Sequence, residues 1–349
     1  MTALVSVIIP VYNQENYLAE CLDSVLGQSL NDIEIICIDD GCTDRSAEIL
    51  QKYVQQDKRI IVLQQENNGA AFARNYGIRE AHGDFIAFLD SDDSYPGKTT
   101  LQCLHSAAIT NGVDICGGSI ATLKDYDKKI EKKFAGDKSD FTFHEEKKCL
   151  YSDYQFDYGF TRFLYNRNLL SKNKIEFPPY RIFEDPPFFV KAMIAAKEFY
   201  AIPDIVYLYR NSHKINQYDA QKAIDFTKGV IENLETAKQH DLHSLYKITL
   251  RRCMGFAKRF SSVQSLDFLF LLLTLYSKLD RNEEFTEVNS EFCNLLNEYF
   301  YAEGSIYKAV IKNLQAEIGN IKKSKSYRLG NSLLSPFKLV KVFFQNFSN

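Results

Sequence analysis

The sequence predicts an α/β protein: a doubly wound, mostly parallel sheet covered by helices on both faces, with a C-terminal helical extension. Three observations carry that prediction. Short apolar runs of strand length alternate with helix-length segments over the first hundred or so residues. The runs are near-continuous in aliphatic and aromatic side chains, as strands buried on both faces must be. Beyond about Gln217 the strand-like runs stop and only helical spacing remains.

Val5 to Pro10 is the first strand, apolar and rich in β-branched residues, and Glu15 to Gln28 follows with Tyr17, Leu18, Cys21, Leu22, Val25 and Leu26 at helical spacing. Ile33 to Ile38 is the second strand; it runs into Asp39-Asp40-Gly41, after which Thr43 or Asp44 can cap a helix carrying Ala47, Ile49, Leu50 and Tyr53. Arg59 to Leu63, the Asn68-Gly69 turn and a helix over Ala70 to Ala81 complete a third cycle. The fourth strand, from Asp84 to Leu89, ends in Asp90-Ser91-Asp92-Asp93. Lys98 to Ala108 then reads as a helix and Val113 to Gly118 as a strand.

Totals bound the function. The chain has 349 residues, 45% of them hydrophobic, enough for two domains or one large domain with an extension. A net charge of -3 gives no reason to expect nucleic acid. Eight scattered cysteines without a CxxC pair support neither a zinc site nor a disulfide framework, and fit a reducing cytoplasm. The N-terminus lacks the basic region and cleavage site of a signal peptide, and the greasiest later run, Phe268 to Tyr276, is too short to span a bilayer.

In open α/β sheets, ligands bind outside the carboxyl ends of the strands. Those ends carry Pro10-Val11-Tyr12-Asn13, Asp39-Asp40-Gly41, Asn67-Asn68-Gly69 and Asp90-Ser91-Asp92-Asp93, so polar and acidic groups converge on one rim. Crowded carboxylates are costly unless a cation sits among them, and hard oxygen ligands suit Mg2+ or Mn2+; the plain alternative is a solvated acidic loop. No GxGxxG follows the first strand, which argues against a dinucleotide-binding oxidoreductase, and no GxxxxGK[ST] occurs, which argues against a P-loop phosphotransferase.

Four stretches, Val5 to Asn13, Ile38 to Asp44, Asn68 to Gly77 and Gly83 to Asp93, together resemble the family 2 glycosyltransferases, over roughly residues 4 to 212. The resemblance implies the GT-A fold, a nucleotide-diphosphate sugar donor and transfer with inversion. Cys42 departs from the serine usual there, at a position that shapes a turn. By resemblance, Asp40 accepts a hydrogen bond from the uracil ring, with a turn-shaping role as its rival; Pro10 and Tyr12 flank the base, and Arg74 faces the nucleotide unless it is a solvated helix-face charge. Asn68 and Ser91 belong with the same nucleotide-sugar site. Asp90 lies near the ribose and Asp92 holds the metal, while Asp93 either assists through water or caps the next helix.

A second acidic pair, Glu184-Asp185, precedes Pro186-Pro187 at a helix start. Asp185 can be an N-cap; the resemblance makes it the general base that removes the acceptor hydroxyl proton, with Glu184 binding acceptor hydroxyls. Ala201 to Tyr209 reads as a strand, and His213 after it is a candidate metal ligand by position or a bystander. Residues 119 to 152 read as a charged surface excursion or a flap near the acceptor. The aromatic run Tyr151, Tyr154, Phe156, Tyr158, Phe160, Phe163, Tyr165 is either a sugar-stacking wall or core.

The expected domains are 1-215, the glycosyltransferase domain; 216-303, a helical accessory region; and 304-349, a tail. The tail carries Lys322, Lys323, Lys325, Arg328, Lys338 and Lys341 with no acid after Glu317, and Phe337, Val340, Phe344 and Phe347 share one helical face. Such an end suits an anionic membrane surface, or packs on the domain or a partner subunit. The expected protein is thus a cytoplasmic enzyme, peripheral at the inner face of the membrane and dependent on Mn2+ or Mg2+. It moves a sugar from a UDP-sugar to a glycan or lipid-linked glycan acceptor of lipooligosaccharide or capsule type. A homo-oligomer is left open. The alternatives are a sugar nucleotidyltransferase, which would carry a glycine-rich basic loop after the first strand, and a catalytically inactive nucleotide-sugar-binding scaffold.

Overall fold

The computed structural model describes residues 3-123, 130-131, 141-210, 219-257, 272, 274-280 and 282-302. The chain divides into two compact units, Met1–Asn216 and Gln217–Asn349.

Among the described residues of the first unit, β1 (Val5–Val11), β2 (Ile33–Asp39), β3 (Ile60–Gln64) and β4 (Phe85–Phe88) pair in parallel in the order β3-β2-β1-β4. Between them run α1 (Leu18–Leu26), α2 (Ser46–Gln56) and α3 (Ala70–Glu80). The central strands are apolar on both faces, and residues 5 to 9 of β1 are fully buried. Helix α3 lies so close to the sheet that a Cβ on Gly77 would come within 2.5 Å of the Ile8 side chain, so glycine is the residue that permits the approach.

In the other half of the sheet the expected strands near Val113 to Gly118 and Ala201 to Tyr209 are present, joined by strands that local pattern did not show. β8 (Phe163–Asn166) enters antiparallel between β4 and β5 (Ile115–Leu123). β9 (Glu198–Arg210) then lies parallel to β5, β7 (Lys147–Leu150) closes the edge antiparallel to β9, and β6 (Ile130–Glu131) pairs with β5. Helices α4 (Thr100–Asn111), α5 (Tyr151–Tyr154), α6 (Arg167–Lys172) and α7 (Asp185–Ala196) complete the unit. Because only β6, β7 and β8 run backwards among the described strands, β1 to β5 and β9 all point their carboxyl ends to the same rim.

Several expectations need correction. Residues 119 to 123 are not a surface excursion but part of β5, buried at every position except half-buried Thr122, and 147 to 150 form an edge strand; residues 124-129 and 132-140 lie outside the described residues. The aromatic run is mostly core: Tyr151, Phe156, Phe160, Phe163 and Tyr165 are buried, whereas Tyr158 is exposed. Phe88, Phe160, Phe177 and Phe188 pack into one cluster, with Phe177 and Phe188 stacked at 3.9 Å. Buried rings each contribute roughly 1.5–3 kcal/mol of burial free energy, which explains why an aromatic-rich stretch becomes a strand and turn inside the sheet.

In the second unit, α8 (Ala220–Gln239) is capped by Asp219, which accepts from the Lys222 N–H at 2.7 Å. It buries Phe226, Val230 and Leu234, and α9 (His243–Ala257) buries Leu245 and Leu250. Near α10 (Thr286–Ala302), Phe285 packs on Tyr246 with ring centroids 4.3 Å apart. Among the described residues no helix is long and apolar enough to cross a membrane. The basic tail lies outside the described residues.

Candidate active site

The rim is built from strand ends inward. β2 ends in Asp39 and Asp40, and Gly41 turns the chain at φ +73°, where a side chain would be strained. Asp40 is buried and already engaged: Oδ1 accepts from Gln65 Nε2 at 2.7 Å and from the Asn68 N–H at 2.9 Å, and Oδ2 accepts from the Gly69 N–H at 2.9 Å. Those amides open α3, so the carboxylate also sits at the positive end of that helix. The turn-shaping role of Asp40 is therefore present in the structure, and its side chain lines the cleft as well.

β4 ends in the acidic turn. Ligand atoms of Asp90, Asp92 and Asp93 lie within 4.8 Å of one another, and oxygen-only donors at that spacing fit a hard divalent cation. The turn is fastened to the end of β9. Tyr207 donates its hydroxyl to Asp93 Oδ2 at 2.6 Å and accepts from the Asp90 N–H at 3.3 Å. Arg210 gives its backbone N–H to Asp93 Oδ1 at 2.7 Å and its Nε to the Asp92 carbonyl at 2.9 Å. It also pairs with Glu20 at 2.9 Å and lies over the Tyr17 ring. Asp93 thus does not cap the next helix, which begins at Thr100. Burial, then the charges of Asp93 and Asp90, hold the Tyr207 hydroxyl well above the ordinary tyrosine range. Burial also raises the Cys21 thiol, helped by Cys37 and the same three acids.

The link between the two acidic regions is Arg74. It is buried on α3, not a solvated helix-face charge. Nη2 pairs with Asp90 Oδ1 at 2.8 Å and Nη1 with Glu184 Oε1 at 3.0 Å. The guanidinium rests over the rings of Phe160, at 4.9 Å, and Phe177, at 5.3 Å. Burial opposes its charge, but the carboxylates of Asp90, Glu184 and Asp185 outweigh that, and the pKa is raised above the ordinary arginine value. The neighbouring Asn75 exchanges two 2.8 Å hydrogen bonds with the backbone of Phe177. Consecutive residues of α3 thereby dock the segment that leads to α7.

At that segment's end, Phe183 adopts φ +66°, a left-handed conformation that costs a bulky side chain roughly 1–2 kcal/mol. Glu184 occupies the N-cap position without a side-chain cap bond, and Asp185 is the first residue of α7. The N-cap alternative for Asp185 is corrected accordingly: the cap position falls one residue earlier, at Glu184, and the prolines that follow sit in the first helical turn, where a missing amide costs little. Both acids are half-buried.

A cleft of about 190 Å³ runs along the rim, lined by Pro10, Tyr12, Asp40, Arg74, Asp90, Ser91 and Asp92 among others. Seven of the residues expected at the donor site are thus gathered in one cavity. Tyr12 is 44% exposed at its mouth. Asn68 contributes its backbone to Asp40 while its side chain bonds the Glu66 carbonyl at 2.8 Å. Glu184 and Asp185 are reached from the cleft through Arg74. His213 lies outside the described residues. Sequence reading overlooked Tyr207; its only local signal was a polar tip on an otherwise apolar strand running to the same rim.

The family model described as "Glycosyl transferase family 2" matches residues 6–173. Glycosyltransferase GlyG of Streptococcus pneumoniae is 32% identical over 217 residues, 60% of this chain and 71% of that protein. The chain belongs to glycosyl transferase family 2. Glycosyltransferase EpsJ of Bacillus subtilis is 36% identical over 232 residues, 64% of this chain; the match spans 66% of EpsJ, just under two thirds of its length. Both relatives carry the enzyme name expected from the sequence. A crystal structure of S. aureus TarS 1-349 in complex with UDP-GlcNAc superposes with a TM-score of 0.65 at 21% identity, over 79% of this chain and 81% of that one. That likeness establishes the GT-A type of fold. The family match ends before Glu184-Asp185, so the acceptor-side assignment rests on geometry and resemblance.

Proposed function

We propose that this chain is an inverting glycosyltransferase that moves a sugar from a UDP-sugar to a hydroxyl of a growing surface glycan. The observation that carries the reading is the cleft whose Asp90 is joined through buried Arg74 to Glu184, the residue beside Asp185. The UDP-GlcNAc bound to TarS supports the choice of donor. Pro10 and Tyr12 would flank the base, Asp40 and Asn68 would meet the uracil side, and Asp90 and Ser91 would meet the ribose. Asp92, with His213 as a second candidate, would hold Mn2+ or Mg2+. When bound, such an ion supplies Lewis-acid neutralisation of the diphosphate.

Asp185 takes the proton of the acceptor hydroxyl as that oxygen attacks the anomeric carbon from the face opposite the diphosphate. One C–O bond forms; the bond to the diphosphate breaks with its electron pair on the leaving oxygen, giving UDP and an inverted linkage. Arg74 keeps Glu184 in place beside the base, which leaves Glu184 room to meet acceptor hydroxyls only through its second oxygen.

A thermal-shift and hydrolysis screen of UDP-sugars, with and without Mn2+, tests the donor reading. Stabilisation by UDP that grows with Mn2+, and slow hydrolysis of one UDP-sugar, are expected. No response to any UDP compound overturns it and favours an inactive scaffold or another donor class. Composition also supports the tail as a dock for an anionic membrane surface on the cytoplasmic side. A chain truncated after Gly304 that still sediments with anionic vesicles as the full chain does would refute that docking.

A further inference from the structure

Asp93 is the most buried acid of the rim, at 1% exposure, and both of its oxygens already accept protein donors: the Tyr207 hydroxyl and the Arg210 amide. Asp90 and Asp92 line the cleft, and Asp93 is not among its walls. The same two β9 residues also hold the backbone just before it, Tyr207 through the Asp90 N–H and Arg210 through the Asp92 carbonyl. Immediately beyond, Ser94 and Leu208 exchange backbone hydrogen bonds of 3.3 and 2.9 Å in an isolated antiparallel bridge. Six bonds therefore fasten a turn of five residues, Asp90 to Ser94, to three residues of one strand, Tyr207, Leu208 and Arg210.

From this arrangement we infer that Tyr207 and Arg210 are positioning residues for the cation-binding turn, and that Asp93 is its anchor rather than a ligand. The inference rests on the metal-dependent donor reading above. Its physical content is a division of labour among three similar acids. A carboxylate buried behind the turn and saturated by neutral or backbone donors fixes where the turn sits. The acids at the cleft are then offered in a set geometry with no ordering left to do when a cation arrives. Without the Tyr207 hydroxyl, a buried carboxylate and a backbone amide each lose a partner, and the turn has to rearrange to hydrate them. Groups that orient metal ligands in this way are worth 10- to 100-fold in metal affinity.

The full chain and four variants, Tyr207→Phe, Arg210→Lys, Asp93→Asn and Asp92→Asn, are titrated with Mn2+ at saturating UDP, following free Mn2+ by electron paramagnetic resonance. UDP alone is titrated by calorimetry. Tyr207→Phe and Asp93→Asn are expected to weaken Mn2+ about 10- to 100-fold with metal-free UDP affinity unchanged, and Asp92→Asn to abolish the Mn2+ site. Wild-type Mn2+ affinity in Tyr207→Phe overturns the inference. So does a loss in Asp93→Asn as complete as in Asp92→Asn, since Asp93 would then be a ligand, and so does a parallel fall in metal-free UDP binding, which marks a general folding role. Should Tyr207→Phe fail to fold, Arg210→Lys decides on the same two readouts. A wild-type chain that takes up no Mn2+ with UDP defeats the donor reading itself and this inference with it, an outcome distinct from a variant that behaves as wild type.

Discussion

Two acidic clusters stand on this rim, one of three carboxylates and one of two, and opposite means hold them. The turn after β4 is fastened from behind by the end of a neighbouring strand: a phenol, a backbone amide and a guanidinium reach it from β9. Glu184-Asp185 sits at the mouth of α7, after a strained Phe183, and one long-range cation, Arg74, grips Glu184. The first cluster is fixed because several donors share the load. The second depends on one charge that it shares with the first, through Asp90. Under the proposed function, the donor side would be pre-formed and the acceptor side coupled to it through Arg74.

The largest expected effect separates chemistry from binding. Asp185→Asn should lower transfer by roughly 10²- to 10⁴-fold while UDP affinity stays as it is, read by product formation beside calorimetry; near-normal turnover removes Asp185 as the base. Arg74→Ala strikes both clusters at once. It leaves two largely buried carboxylates without their cation, and a loss of about 3–5 kcal/mol in chemical denaturation is expected, together with weakened donor binding. If stability falls but donor binding and transfer do not, the coupling between the clusters is broken as an idea.

Glu184→Gln should cost less, about 1–3 kcal/mol, because the amide oxygen still accepts from Arg74. The comparison sharpens if transfer falls more than UDP binding, for that places Glu184 on the acceptor side. The smallest effect is expected from Tyr12→Ala at the cleft mouth: UDP affinity a few-fold weaker, from the loss of roughly 0.5–1.5 kcal/mol of ring stacking, with the melting temperature unchanged. A large stability loss there would mean that Tyr12 packs the fold rather than faces a ligand.

Much of the donor side was legible before any coordinates, because it sits at the ends of β1, β2 and β4, whose alternation with helices can be read from local periodicity. In the other half β5 and β9 were read as strands, but β7 and β8, which run against them, were not. Phe163 to Asn166 lies within a uniformly aromatic stretch, where a strand, a binding wall and core packing share one composition. The charged positions at 147 and 148 looked like a loop because an edge strand tolerates lysines facing water. Arg74 divided two readings evenly in sequence, and both omitted the pairing it makes.

By itself, then, the sequence determined the chain's α/β order, the gathering of acids at one rim and the family to which those stretches point. Only the tertiary structure decided what each acid is bound to. Arg74 meets Glu184 across 110 residues and Tyr207 meets Asp93 across 114, and hydrogen-bond partners at such separations follow from how strands are ordered in the sheet. Local spacing reports which face of an element is apolar; it carries no record of which distant side chain completes a buried charge.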